Sequence, residues 1–295
     1  MTNLERRYRA LLKVLPGWYR EDREEEMVGL FLVERTDELD LEHSWPGWGE
    51  TGAMLALAIR TRFAASGAPE RAVRLGEVAR WLAVLGLLLG LKNVVHVIYS
   101  EIVVRASGEV VAPQWNAVLA NFSPVVVIAL LLRGHRTWAK VVAGAAFVPW
   151  LVNAVTDVGP AGALSVLWQL PVLVAFVALC LGFHREAPTP RVGPMLWWCG
   201  GAVLVGAAEL LAWQVYPVVL PVVLLAVRVL AYVRGEVALG RALSLLALWL
   251  LPDVVVTYLR LPPELRGYVL VAAALVGVSA AAPVRRASVL RSRLP

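Results

Sequence analysis

Six polar residues sit inside runs of leucine, valine and alanine, where a bystander side chain would be apolar: Lys92, His96, Asn153, Glu209, Arg228 and Asp253. A charge at the centre of a bilayer costs about 2.5–3.5 kcal/mol even on the mildest scales. Such residues therefore pair with one another, line a wet path or bind something. Lys92 and His96 are one helical turn apart and share a face. Glu209 and Asp253 supply carboxylates to balance Lys92, and Asn153 adds a neutral donor and acceptor. Two readings stand for Lys92, His96, Asn153, Glu209 and Asp253. They are polar pairs that lock helices together, or they form a ligand or proton site. Arg228 stands apart, toward the opposite end of its own segment.

Other chemistry has no foothold. The chain contains no HExxH, CxxC, GxSxG or Walker loop, and no GxGxxG in a strand–helix setting. His43, His135 and His184 are scattered without metal-ligand spacing. Cys180 and Cys199 make neither a disulfide framework nor a ligand set, and read as small buried hydrophobes. The sequence predicts no enzyme, no metal site and no cofactor.

The segments that must position these residues are apolar and long. Trp81 to Tyr99, WLAVLGLLLGLKNVVHVIY, matches the roughly 20 residues needed to cross a hydrocarbon core as a helix. It carries Gly86 and Gly90, a GxxxG pair suited to close helix contact. Further apolar runs follow at 113–132, 139–157, 163–183, 195–213, 216–233, 242–260 and 267–282, making eight predicted crossings. The hydrophobic fraction of 59% exceeds the roughly 45–50% of soluble domains. Mean hydropathy is +0.68.

Charge orients the bundle. Alternate loops carry Arg133, His135, Arg136 and Lys140, then Arg185 and Arg191, then Arg234 and Arg241. The tail, 284–295, adds four more arginines. Positive loops stay inside, which puts both termini in the cytoplasm of a cell inner membrane. Only the outer loop with Arg260, Glu264 and Arg266 runs against that rule. Residues 1–66 are net −3 and the remainder net +9. The basic balance therefore reports topology rather than direct nucleic-acid binding. MTNLERRYR opens on charge, unlike a secretory signal.

Ahead of the bundle lies a charged head. Leu4, Tyr8, Leu11, Leu12 and Leu15 form one helical stripe that Pro16-Gly17 terminates. A second helix, from Trp18 to about Glu34, presents Tyr19, Met27, Leu30 and Phe31. A third, from about Glu50 to Phe63, presents Leu55, Ile59 and Phe63. None can bury its stripe alone, so a three-helix unit is the economical solution. The expected class is all-α. It comprises a cytoplasmic head at 1–66, a juxtamembrane helix at 67–80, a transmembrane bundle at 81–283 and a basic tail at 284–295.

The run Tyr8 to Pro16, YRALLKVLP, followed by Trp18-Tyr19-Arg20 and Glu25-Glu26-Met27, resembles the HAAS family. These are helical signalling domains at the N-termini of bacterial membrane proteins. Gly49-Glu50 and the Leu-Ala-Leu-Ala-Ile-Arg run resemble its third helix. The resemblance covers about residues 4–65. It implies a partner of the PadR-like winged-helix class, or a sigma factor, because genes of that family neighbour such regulators. An acidic face at Glu21, Asp22, Glu24, Glu25 and Glu26 would complement a basic DNA-binding protein. The implied function is regulatory: a membrane body responds to a membrane or envelope signal, and the head controls a soluble regulator. A transporter or permease-like protein using the intramembrane charges is the alternative.

Overall fold

A computed structural model describes residues 2–33, 45–108, 115–156, 172–212, 216–260 and 262–281. All the regular structure among them is helical. The chain divides into two compact units, 1–76 and 77–295. The predicted tail at 284–295 and the polar stretch 36–44 lie outside the described residues.

In the first unit, Thr2 caps α1 (Asn3–Leu12) by accepting the Glu5 N–H at 3.2 Å. Leu4, Tyr8 and Leu12 recur every four residues and are buried, with Leu15 following on the closing turn. Pro16 lacks the N–H to continue the helix, and its carbonyl instead starts α2 (Gly17–Val33) by accepting from Arg20 at 3.0 Å. Gly47 opens α3 (Trp48–Arg62). Tyr8, Leu12, Leu15, Val28, Met54 and Ala58 form one buried cluster, and the Tyr8 ring stacks on Phe31 at 3.9 Å. Arg62 donates to the Val14 carbonyl at 2.7 Å, fastening the end of α3 to the α1–α2 turn.

One stripe is rotated from its expected face. In α3 the inward residues are Met54, Ala58 and Thr61, while Leu55 is 49% exposed. Small side chains let α3 approach closely, and the Thr61 hydroxyl is satisfied within its own helix by the Leu57 carbonyl at 2.9 Å. In α2 the expected face holds for Tyr19, Met27 and Phe31, which pack on the cluster beside the buried Val28, and only Leu30 departs from it at 66% exposure.

The second unit is organised on α4 (Glu70–Ala106), a single helix of 37 residues. At 1.5 Å per residue it is about 55 Å long, well beyond a ~30 Å hydrocarbon core. The expected charged lead-in and first crossing are thus one uninterrupted rod. Next come α5 (Trp115–Leu132), α6 (Arg136–Thr156), α7 (Val172–Gly182), α8 (Val192–Leu211), α9 (Tyr216–Arg234) and α10 (Val237–Arg260). A short 3-10 turn, Pro263–Leu265, then leads into α11 (Arg266–Ala281).

α4 feeds both buried cores of this unit. Ala83, Val84, Leu87 and Leu88 pack with Val127, Leu131, Ala139, Leu179 and Met195 from α5 to α8. Val78 and Leu85 pack with Leu224 of α9 and Leu243 and Leu246 of α10. α11 lies against α9 and α10. The GxxxG face meets two different helices: a β-carbon at Gly86 would overlap Ala175 of α7, and one at Gly90 would press on Pro124 of α5.

Among the described residues four helices, α4, α8, α9 and α10, are long and apolar enough to cross a membrane, with mean hydropathies of 1.9, 1.4, 2.1 and 1.9. Their outward faces are apolar too. On α8, Leu196, Trp197, Leu204 and Leu211 all point away from the protein. Water would not tolerate so continuous an apolar surface on a monomer, and lipid does. The chain is a helical membrane protein.

Candidate functional site

α4 and α8 run parallel. The Trp81 and Trp198 rings meet edge to face at 5.8 Å, and Lys92 and His96 meet Glu209 further along both helices. The helical period puts Lys92 and His96 on one face of α4. Gly206 sets how close α8 can come: a β-carbon there would lie 2.8 Å from the Lys92 carbonyl oxygen and 3.1 Å from the Val95 β-carbon. Glu209 follows Gly206 by three residues on the same face, so the close approach delivers its carboxylate to the two α4 side chains.

One carboxylate oxygen takes both contacts. Lys92 Nζ donates to Glu209 Oε2 at 2.7 Å, and His96 Nε2 lies 2.9 Å from the same oxygen. The Glu209 side chain is 5% exposed, Lys92 14% and His96 35%. The carboxylate is thus enclosed, while the imidazole forms the open side of the cluster. Lys92 and Glu209 neutralise each other. His96 bonds Glu209 as the neutral Nε2–H tautomer or as the imidazolium, so gaining a proton changes the cluster's charge without breaking a bond. This arrangement can hold or pass a proton and respond to charge on its open side. Among the described residues no group of three His, Cys, Asp or Glu comes together as a metal site would need.

Of the five expected cluster members, the structure brings Lys92, His96 and Glu209 together. Asn153 lies on α6 and Asp253 on α10, but their side chains are outside the described residues. Arg228 is buried on α9 at 2% exposure, flanked by Leu224 and Ala231. Gly206 was missed as a positioning residue. The signal available was a glycine one turn before a carboxylate in an apolar helix.

On the head, Glu21, Asp22, Glu25 and Glu26 are exposed along α2, and Glu24 is half-buried. Two of these are engaged within the head. Arg9 grips Glu25 through both oxygens at 2.7 and 2.9 Å and reaches Glu24 at 3.4 Å, while Arg20 also pairs with Glu24 at 3.3 Å. Glu21, Asp22 and Glu26 are therefore the stronger candidates for an outside partner.

The hydrogen bonds from Arg9, reinforced by its charge, hold the Glu25 carboxyl below the usual carboxylate range. A depressed carboxylate stabilises the fold above its unfolded pKa of about 4.3, and that contribution is lost as pH falls through the folded value. A carbon-detected NMR titration of the full chain should place the Glu25 midpoint below about 4.3, and Arg9→Gln should return it there. Equal midpoints in the two proteins would show that the Arg9 grip is absent in solution.

The chain matches no protein-family model, no curated protein and no solved structure, so the site is read from its own residues.

Proposed function

We propose that this is a multispan signalling protein of a bacterial inner membrane, whose head binds a soluble transcriptional regulator of PadR-like type or a sigma factor. In this reading the bundle crosses the membrane eight times with both termini cytoplasmic, and residues 1–66 act as a HAAS-like module. The observation that carries it is α4. Its first turns fall in the compact N-terminal unit, and its middle bears Lys92 and His96 of the ion cluster. A change in protonation or ligation at the cluster favours one state of α4, and the head reads that state by capturing or releasing the regulator. The exposed carboxylates of α2 supply the electrostatic complement to a basic DNA-binding protein.

The test is capture from native membranes. The intact protein should retain a soluble regulator that a protein lacking residues 1–66 does not. Reversing Glu21, Asp22 and Glu26 to lysine should weaken retention about tenfold or more, with a matching salt dependence, while leaving the Arg9 pairs intact. Recovery of the same soluble proteins by the intact and the truncated protein refutes the head's role. Topology has its own check. A cysteine at position 107 should label from outside intact cells and one at 136 should not, and the reverse pattern excludes eight crossings with an internal N-terminus.

One observation favours the alternative, a transporter or permease-like protein: the partial exposure of His96 beside an otherwise enclosed Lys92–Glu209 pair. Substrate or proton flux in reconstituted vesicles, abolished by His96→Phe, would move that reading ahead.

A further inference from the structure

At the end of the bundle where α4 enters, two chain segments line an open cavity of about 470 Å³, with His135, Arg136, Trp138, Lys140, Phe183 and Arg185 in its walls. Gly182 identifies the end, because a β-carbon there would lie 2.8 Å from the Arg80 backbone nitrogen of α4. The walls are built firmly. His135 N–H closes back on the Leu130 carbonyl at 2.8 Å, with Gly134 at φ +80°, so α5 turns into α6 over three residues. Arg136 and Lys140, one turn apart on α6, reach across to α7 and its exit. Arg136 Nη1 donates to the His184 carbonyl at 3.2 Å and to that of Arg185, and Lys140 Nζ donates to the Cys180 carbonyl at 3.3 Å.

Those contacts cap the C-terminal end of α7, which on its own would explain two cations there. They do not use up the donors. A guanidinium has five N–H groups and an ammonium three. The Arg136 Nε is enclosed with no acceptor among the described residues. Arg185 adds a third permanent cation and His135 an ionisable one, and Glu186 is the one carboxylate in the two segments 133–140 and 183–191. Trp138, 63% exposed, suits the headgroup level of a bilayer. An open cavity with several cations, spare donors and an interfacial indole has the chemistry of a phosphate receptor.

We infer that this cavity binds a phosphate-bearing anion, supplied by the headgroup of an anionic lipid such as phosphatidylglycerol or by free phosphate. This stands apart from the head's role and from the ion cluster.

The experiment uses the intact protein in nanodiscs of phosphatidylcholine, with or without phosphatidylglycerol, and counts retained lipid by native mass spectrometry. Wild type should retain phosphatidylglycerol selectively. Lys140→Gln with Arg185→Gln should lower that preference about a hundredfold, each lost charge-assisted hydrogen bond to the phosphate contributing roughly tenfold. Arg133→Gln with Arg191→Gln removes the same charge from loops at the same end without touching the cavity lining, and should cost only the diffuse surface attraction, up to about thirtyfold and less when screened by salt. The charge-keeping pair Lys140→Arg with Arg185→Lys should retain most of the preference, which separates lost binding from lost folding. Displacement of lipid by millimolar inorganic phosphate, with phosphate binding in pure phosphatidylcholine discs, assigns the soluble source; persistence of lipid assigns the headgroup. Equal losses in the two Gln pairs would make retention a matter of diffuse surface charge and overturn the site, as would absence of preference in wild type.

Discussion

Glu209→Leu is expected to destabilise the membrane body by about 3–5 kcal/mol, the usual cost of stripping one partner from an enclosed ion pair. Lys92 has its Nζ 2.7 Å from the Glu209 carboxylate, and His96 is held by the same oxygen. Removing the carboxylate strands an ammonium and orphans an imidazole in one step. Combining Glu209→Leu with Lys92→Met should recover most of the loss, because two apolar side chains replace a paired charge without leaving one unpaired. Thermal unfolding in nanodiscs, followed by tryptophan fluorescence, reads both variants. If the single and double variants unfold together, the pair does not carry the interaction that its geometry describes. The stable double variant then separates two roles. Loss of regulator capture with the fold intact assigns the cluster to signalling, whereas full capture leaves it a structural lock.

The second large effect concerns Gly206. A methyl group there would meet the Lys92 carbonyl oxygen at 2.8 Å and Val95 at 3.1 Å, so α8 must slide or lift away from α4. Gly206→Ala should cost about 1–3 kcal/mol as overpacking, and Gly206→Val more. The same helix contains its own controls. Gly200 and Gly201 have open space where a β-carbon would stand. Alanine at either should be neutral, or stabilising by up to about 1 kcal/mol through better helix propensity. Unfolding midpoints for the three alanine variants decide the matter. A Gly206→Ala protein as stable as Gly200→Ala would mean that α8 does not approach α4 so closely. The expected signature also includes the cluster, since moving α8 carries Glu209 away from Lys92.

Local signals were legible wherever chain chemistry acts on its own. Pro16 and Gly47 punctuate the head because a missing N–H or a missing side chain changes what the backbone does at that residue, whatever surrounds it. Helices α1, α2 and α3 accordingly begin and end within about three residues of their expected bounds. The buried stripe of α1 was also readable, since Leu4, Tyr8 and Leu12 are large and sit among charges. The face of α2 was readable for Tyr19, Met27 and Phe31, and the face of α3 was not. In α3 large apolar residues occur around much of the circumference, and the choice of Met54 and Ala58 over Leu55 was made by fit against the other two helices.

The same division holds at the ion cluster. Composition and run length determined that this is a helical membrane protein, because twenty apolar residues in a row have no other good solvent. The helical period determined that Lys92 and His96 share a face. Periodicity names a face but never the helix opposite it, and two carboxylates were available. Only the tertiary structure brings Glu209, 117 residues from Lys92 in the chain, to that face, and it does so through a contact that carries no charge: Gly206 lets two backbones come close enough for the carboxylate to reach. The basic cavity follows the same logic. Loop arginines and lysines predict one side of the membrane from the sequence, and their convergence on one cavity exists only once α6 and α7 have packed.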